Sequence, residues 1–334
     1  MQEEGLACAG PFWLARVAGR ELLDTTDGDV AVGDALVLPA SGASLVRQTL
    51  PVVTADGARF ELLCIAPAGT WRHALYWLPA LGISARRYLP LAEALAARGI
   101  AVVIHEWRGI GSSSRRAGRQ CNWGYREILE DDVPAAHEVL RARWPQVTWC
   151  LGGHSLGGQI AMLRAALAPT EYTGIVLVAS GAPYWRQFRR KWLLAAAFVF
   201  APCLAWLCGY LPGRRIHFGG REARGVIADW ARTGRSGRYT VRGFAVDLEQ
   251  ALAELRTPVL GLHLADDWLG PARSLHYLLG KAPLARRDVE TLDAQALGVA
   301  AATHFAWMQT PQTVAARSAR WIHALPASAH GCLS

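Results

Sequence analysis

The sequence predicts an α/β fold: a mostly parallel central sheet flanked by helices, with a helical segment inserted in its second half. Three observations predict it. Short apolar runs that read as buried strands alternate with stretches of helical period from about residue 47 onward. The run 147–151 ends in "GGHSLGGQ" (152–159), where glycines bracket a corner between a strand and a good helix former. The alternation lapses over 183–245 and then resumes, as an insertion into a regular plan would make it do.

Residues 47–53 and 59–66 read as strands joined at Asp56-Gly57, a hairpin turn signal. Residues 74–78 form a short strand ending in "LPALGIS", after which Ser84 is expected to cap a helix running to Arg98 and closed by Gly99. A strand at 100–104 leads into a glycine-rich loop, and 125–143 is an amphipathic helix that Pro134 kinks or interrupts. The corner strand and helix follow, then a strand at 175–179. After the insertion come a strand at 258–263, a helix near 271–280, a strand at 287–292 and a closing helix beginning at Thr310-Pro311. The expected division is an N-terminal extension over 1–45 with no assignable role, a core over 46–182 and 246–334, and a helical cap over 183–245.

Composition narrows the function. At 334 residues with 52% hydrophobic and 19% charged side chains, the chain holds one large globular core with room for an insertion. The net charge of +8 is carried mostly by arginine. No nucleic-acid fold signature accompanies it, so nucleic acid is not an expected partner. Seven cysteines are scattered without a C-x-x-C pair, which argues for a reducing compartment and against a zinc site. The first residues carry no basic region followed by an apolar stretch, so the expectation is a cytoplasmic protein. The run 192–211 is almost wholly apolar and flanked by basic residues. Pro202 in its middle favours two short buried helices; a lid resting on a bilayer is the sharper alternative, and a membrane span comes third.

In open parallel sheets chemistry gathers at the carboxyl ends of strands. Ser155 follows the corner strand, Asp266 and Asp267 follow the strand at 258–263, and His304 follows the last strand. Serine, carboxylate and histidine in that chain order form a nucleophile, its orienting acid and its base. Among ten histidines, His154 adjoins the serine on a strained turn and reads as packing, while His263, His276 and His323 lie within regular elements. His304 alone sits in a loop after the final strand, which makes it the base. Backbone N–H groups would stabilise an oxyanion, one of them on Leu156, directly after the serine. The loop at 108–111 has the glycines of a phosphate cradle but no following G-K-[ST], so it reads as turn chemistry.

"RGIGSS" (108–113), "PVLGLHLADDWLGP" (258–271), "GYLPGRRIHFGG" (209–220) with "ADW", "LPALG" and "THFAWM" together resemble the α/β-hydrolase superfamily. The likeness runs from about 48 to 325 and is strongest to bacterial predicted α/β-hydrolases related to monoglyceride lipases and the serine aminopeptidase branch. The resemblance implies the α/β-hydrolase fold. It implies Asp267, four residues before Pro271, as the acid, with Asp266 as a hydrogen-bonding neighbour. It also implies Leu81 as the second oxyanion N–H, although lipases usually carry His-Gly where this chain has Pro79-Ala80.

The expected function is hydrolysis of apolar acyl esters or thioesters by Ser155, Asp267 and His304, with no metal or organic cofactor. Trp185, Trp192 and Trp230 of the insertion are expected to line the acyl pocket. Peptide or amide hydrolysis by the same triad is the alternative, with Glu222 or Asp229 holding a substrate amine. A non-catalytic ligand-binding or membrane-associated protein on the same scaffold is the other.

Overall fold

The structure is a computed structural model that describes residues 44–326. The expected extension over 1–45 therefore lies almost wholly outside the described residues. Eight strands form the main sheet in the order β1-β2-β4-β3-β5-β6-β9-β10. β1 (Leu45–Val53) and β2 (Arg59–Pro67) are an antiparallel hairpin turning at Gly57, whose φ of +76° needs glycine. β2 also runs antiparallel to β4 (Ile100–Ile104). β3 (His73–Leu78), β4, β5 (Thr148–His154), β6 (Ile175–Val178), β9 (Val259–Leu264) and β10 (Arg287–Leu292) are parallel. β4 and β9 are buried at every position, as a doubly covered sheet requires.

The two faces carry separate cores. On one, Tyr76, Leu78 and Leu151 pack with α2 (Val133–Arg143), α3 (Leu156–Leu167), α6 (Leu248–Glu254) and α7 (Ala272–Gly280) through Leu140, Ile160, Leu252 and Leu278. On the other, Leu75, Trp77 and Val102 pack with α1 (Leu89–Ala96) and α8 (Gln312–His323) through Leu95, Val314 and Ile322. Between β6 and β9 the chain inserts α4 (Lys191–Cys208), a two-stranded ribbon of β7 (Leu211–Pro212) and β8 (Arg221–Glu222), and α5 (Arg224–Ser236).

Two local expectations are corrected and a third is decided. Ser84 makes no side-chain cap; residues 85–88 form a 3₁₀ turn and α1 starts only at Leu89, because Pro90 fits a first helical turn and not a helix interior. Of the two outcomes expected at Pro134, the helix is interrupted and not kinked. The chain widens to a π-helical turn over Ile128–Asp132 just before it, which absorbs the missing N–H.

The second correction concerns the apolar run. α4 is one continuous helix through Pro202, and it is largely exposed: Trp192 and Trp206 are each 70% accessible, and Phe200 is 62%. Only Phe198 and Ala205 are buried along it. Pro202 has no N–H to give the Phe198 carbonyl four residues back. The Arg235 guanidinium of α5 donates to that carbonyl instead, so the helix continues without an orphaned acceptor.

Candidate active site

Ser155 occupies the corner between β5 and α3 with φ 53° and ψ −117°, outside the regions a serine favours. Its neighbours hold it there. Its N–H donates to the Val178 carbonyl of β6 at 3.1 Å, and Ser180 Oγ donates to its carbonyl at 2.7 Å. The flanking glycines are required by contact: a Cβ on Gly153 would lie 2.3 Å from Gly157 C, and one on Gly157 would lie 2.0 Å from the Leu78 carbonyl oxygen. The corner is thus pressed against the end of β3, whose following loop carries Leu81.

Asp267 and His304 come together from loops after β9 and β10. His304 Nδ1 lies 2.7 Å from Asp267 Oδ2, and both side chains are buried. The other carboxylate oxygen accepts the N–H groups of Leu269 and Gly270, each at 2.8 Å, which fixes the acid's orientation. Asp266 does separate work. Its N–H donates to the Ala302 carbonyl at 3.2 Å and its Oδ2 accepts the Ala302 N–H at 2.9 Å, so it pins the histidine loop to the acid loop. The elbow and this loop are neighbours, since the rings of His154 and His304 lie 4.8 Å apart.

His154 is packing, and more than that. Tyr88 Oη accepts the Ala80 N–H at 2.9 Å and lies 2.9 Å from His154 Nδ1. With its acceptor side used, the phenol gives its proton to Nδ1, which requires a neutral imidazole. Full burial, followed by the nearby His304, pushes the His154 pKa well below its ordinary value. Tyr88 therefore ties the loop after β3 to the end of β5. No motif marks it in the sequence, because the link exists only once α1 lies over both strand ends. The three other histidines weighed as the base sit elsewhere: His276 bonds the Ala272 carbonyl on α7, His323 bonds Arg98, and His263 lies within β9 against Thr291.

Two backbone N–H groups lie in the segments pressed together at this corner. Leu156 is the first residue of α3, so its N–H has no partner within the helix. In the turn after β3, Ala80 N–H is taken by Tyr88 and Ile83 N–H by the Ala80 carbonyl. Among the described residues, Leu81 N–H has no such acceptor.

The R-G-I-G loop is structural, as its reading as turn chemistry anticipates. Arg108 is buried and bonds Asp132 through Nε at 2.7 and 2.8 Å and Asp56 through its terminal nitrogens, tying the loop to the β1–β2 turn. Burial would lower its pKa, but Asp132 and Asp56 together outweigh that and hold it above the usual arginine value. Among the described residues, no three His, Cys, Asp or Glu side chains gather so as to hold a metal ion.

The tryptophans of the insertion divide. Trp230 packs between Phe198 and Phe218, with ring centroids 4.5 and 5.1 Å away. Trp185 packs at a tilt against Trp192, with ring centroids 5.0 Å apart, and Trp192 faces outward, so it lines no enclosed pocket. An exposed helix face has no wall opposite it to close one. Both candidate amine-binding carboxylates have partners within the fold: Asp229 accepts from Tyr125 N–H and Arg232, and Glu222 accepts from Gly220 N–H.

The sequence pattern of the family described as serine aminopeptidase, S33, matches residues 70–295, more than half of the chain. The chain belongs to this family. Among its relatives, the monoglyceride lipase of Mus musculus is 31% identical over 132 residues, covering 39% of this chain and 43% of that protein. The monoglyceride lipase of Homo sapiens is 30% identical over 142 residues, 40% of this chain and 44% of that protein. The matched stretch thus spans less than half of either relative. Among solved structures, a hydrolase from Pseudomonas aeruginosa PA01 aligns with a TM-score of 0.54 and 22% identity, covering 82% of this chain and 98% of that one. A monoacylglycerol lipase from Paleococcus ferrophilus aligns at 0.53 and 16%, covering 83% and 98%. At these identities the structural likeness speaks to the α/β-hydrolase fold, which this sheet order shares.

Proposed function

We propose that the protein is a serine hydrolase acting on carboxylic esters with apolar acyl groups. The observation that carries the reading is the buried Asp267–His304 hydrogen bond of 2.7 Å beside a serine held at φ 53° on a glycine-pressed corner. In this reading Ser155 Oγ attacks the acyl carbon while His304 Nε2 takes its proton. The negative charge on the former carbonyl oxygen meets the N–H groups of Leu156 and Leu81. The C–O bond to the leaving alcohol breaks, and His304 returns the proton to that alcohol. Water, deprotonated by His304, then attacks the acyl-serine, releasing the acid and restoring the serine. Asp267 fixes the imidazole with its Nδ1 proton toward the carboxylate. No step calls for a metal or an organic cofactor.

An ester is favoured over a peptide because Glu222 and Asp229 already serve hydrogen bonds inside the fold. The names of the mammalian relatives point to the same class of substrate. The test is an active-site fluorophosphonate probe followed by a panel of p-nitrophenyl esters and aminoacyl amides. Labelling of the wild type but not of Ser155→Ala, with esters turned over faster than amides, is expected. Wild-type protein that resists the probe would remove the reading, and faster amide cleavage would replace the ester by the peptidase alternative.

A contact with anionic lipid belongs to the same proposal, supported by the exposed face of α4. Trp192, Val199, Phe200, Trp206 and Leu207 are exposed along it, and Arg186, Arg189, Arg190 and Lys191 cluster at its start. That basic end adjoins the site, since Arg190 lies 5.9 Å from the ring of Trp268, next to the acid Asp267. α4 has the length and hydropathy of a membrane span. Its contacts with α5 through Phe198 and Arg235 favour lying on the surface, since a span would have to break them. Each basic residue near an anionic surface contributes about 1 kcal/mol, screened by salt. Co-sedimentation with phosphatidylserine vesicles should therefore be strong at low salt, fall at high salt, and weaken in Arg189→Glu and Trp206→Ser. Absence of binding at low salt removes the lipid contact and leaves the hydrolase.

A further inference from the structure

The stretch "GYLPGRRIHFGG" is folded with a precision that the triad does not explain. β7 and β8 pair Leu211 with Glu222 and Pro212 with Arg221, closing a loop over 213–220. Inside it, Phe218 N–H donates to the Gly213 carbonyl at 3.0 Å and Arg214 N–H to the Gly220 carbonyl at 3.3 Å. His217 and Gly219 both adopt left-handed conformations, with φ 52° and 71°. Glu222 is buried, and its Oε1 accepts the Gly220 N–H at 2.6 Å. The loop is thus wound so that a carboxylate behind it holds its tip.

That tip rests on the turn after β3. Gly82, at φ +76°, has no room for a side chain: a Cβ there would lie 2.3 Å from Gly220 N, 2.6 Å from Gly219 C and 2.8 Å from Gly219 Cα. A Cβ on Gly219 would in turn meet Leu81 Cδ2 at 3.4 Å. Backbone lies on backbone, one residue from the N–H assigned to the oxyanion. The other side of that turn is held by Tyr88 through Ala80 N–H.

We propose that Glu222 is a positioning residue, which seats the Gly219–Gly220 tip on Gly82 and so aims the Leu81 N–H at the oxyanion. The inserted segment then completes the catalytic geometry. This rests on the serine hydrolase reading and goes beyond it. Oxyanion donors act only when placed within hydrogen-bond distance of the developing charge, and losing one outright costs about 10²–10³-fold in kcat. A displaced donor costs a fraction of that.

The test compares Glu222→Ala, Glu222→Gln and Gly220→Ala on a short soluble ester. Gly220 is not in the left-handed region, so alanine there adds no backbone strain. Its Cβ would stand 3.1 Å from Glu222 Oε1, so the carboxylate and the tip it holds must part by a few tenths of an ångström, while the 3.4 Å to Gly82 Cα is ordinary contact. Glu222→Ala and Gly220→Ala should each lower kcat about tenfold, below the cost of losing a donor outright, with KM nearly unchanged. Fluorophosphonate labelling of Ser155 should slow in parallel. Glu222→Gln keeps an oxygen acceptor for Gly220 and should recover most of the rate. Folded variants with wild-type kcat overturn the inference while the hydrolase reading stands, as does a loss of stability without a loss of kcat. Wild-type protein that is neither active nor labelled removes the hydrolase reading, and this inference with it.

Discussion

Two adjacent carboxylates after β9 do different jobs, and substitution separates them. Asp267 accepts from His304 and from two backbone N–H groups, so Asp267→Asn keeps the shape but offers the imidazole the wrong partner. A loss of about 10⁴-fold in kcat is expected, as for the equivalent change in other triads. Asp266→Asn keeps an oxygen for the Ala302 N–H and should cost less than tenfold, because it acts only on the loop carrying His304. Steady-state kinetics on one ester decide it, and a dead Asp266→Asn beside a healthy Asp267→Asn reverses the assignment. The sequence could place the proposed acid within a pair, because strand ends are legible from apolar period and punctuation. Choosing within the pair took a family spacing. Which oxygen faces which loop is a matter of two chain segments 37 residues apart meeting. Tyr88 was illegible for the same reason: its two partners lie 8 and 66 residues away.

At the level of elements, the sheet was readable because its strands are short, continuously apolar and bounded by glycine and proline. The α4 helix was not. A proline in an apolar run argues for a break, and local sequence cannot show that an arginine 37 residues after Phe198 supplies the missing donor. That exchange makes a testable pair. Arg235→Ala should strand the Phe198 carbonyl and destabilise α4 by about 1–3 kcal/mol, the usual cost of an unsatisfied buried group. Pro202→Ala restores a main-chain N–H to the same carbonyl, so the double variant should regain most of that loss. Limited proteolysis and amide exchange across 191–208 would read it. If Pro202→Ala fails to rescue Arg235→Ala, the arginine is holding α4 by some other contact.

Across the whole molecule, burial sets opposing pH dependences, and their balance fixes where the fold is most stable. His105 and His137 are pushed down to about 3 by burial, so the unfolded chain binds protons that they refuse. Stability from these two rises with pH until free histidine is neutral, near pH 6.5. Glu106 and Glu222 behave oppositely: burial pushes each up to about 7. Between the ordinary carboxyl value and 7 the folded chain holds their protons and the unfolded chain has lost them. Stability from these two therefore falls as pH rises through that window, by on the order of 1 kcal/mol per pH unit for each group. Glu106 isolates this contribution, since its Oε1 accepts the Ala85 N–H at 3.0 Å, a bond glutamine can keep. Near pH 4.5, Glu106→Gln and wild type should have nearly equal urea midpoints. By pH 8 the variant should be the more stable, with the gap opening steadily in between. Two curves that stay parallel from pH 5 to 8 would mean that Glu106 is ionised in the fold throughout, its charge met by Arg86 and Arg116, which act against the burial.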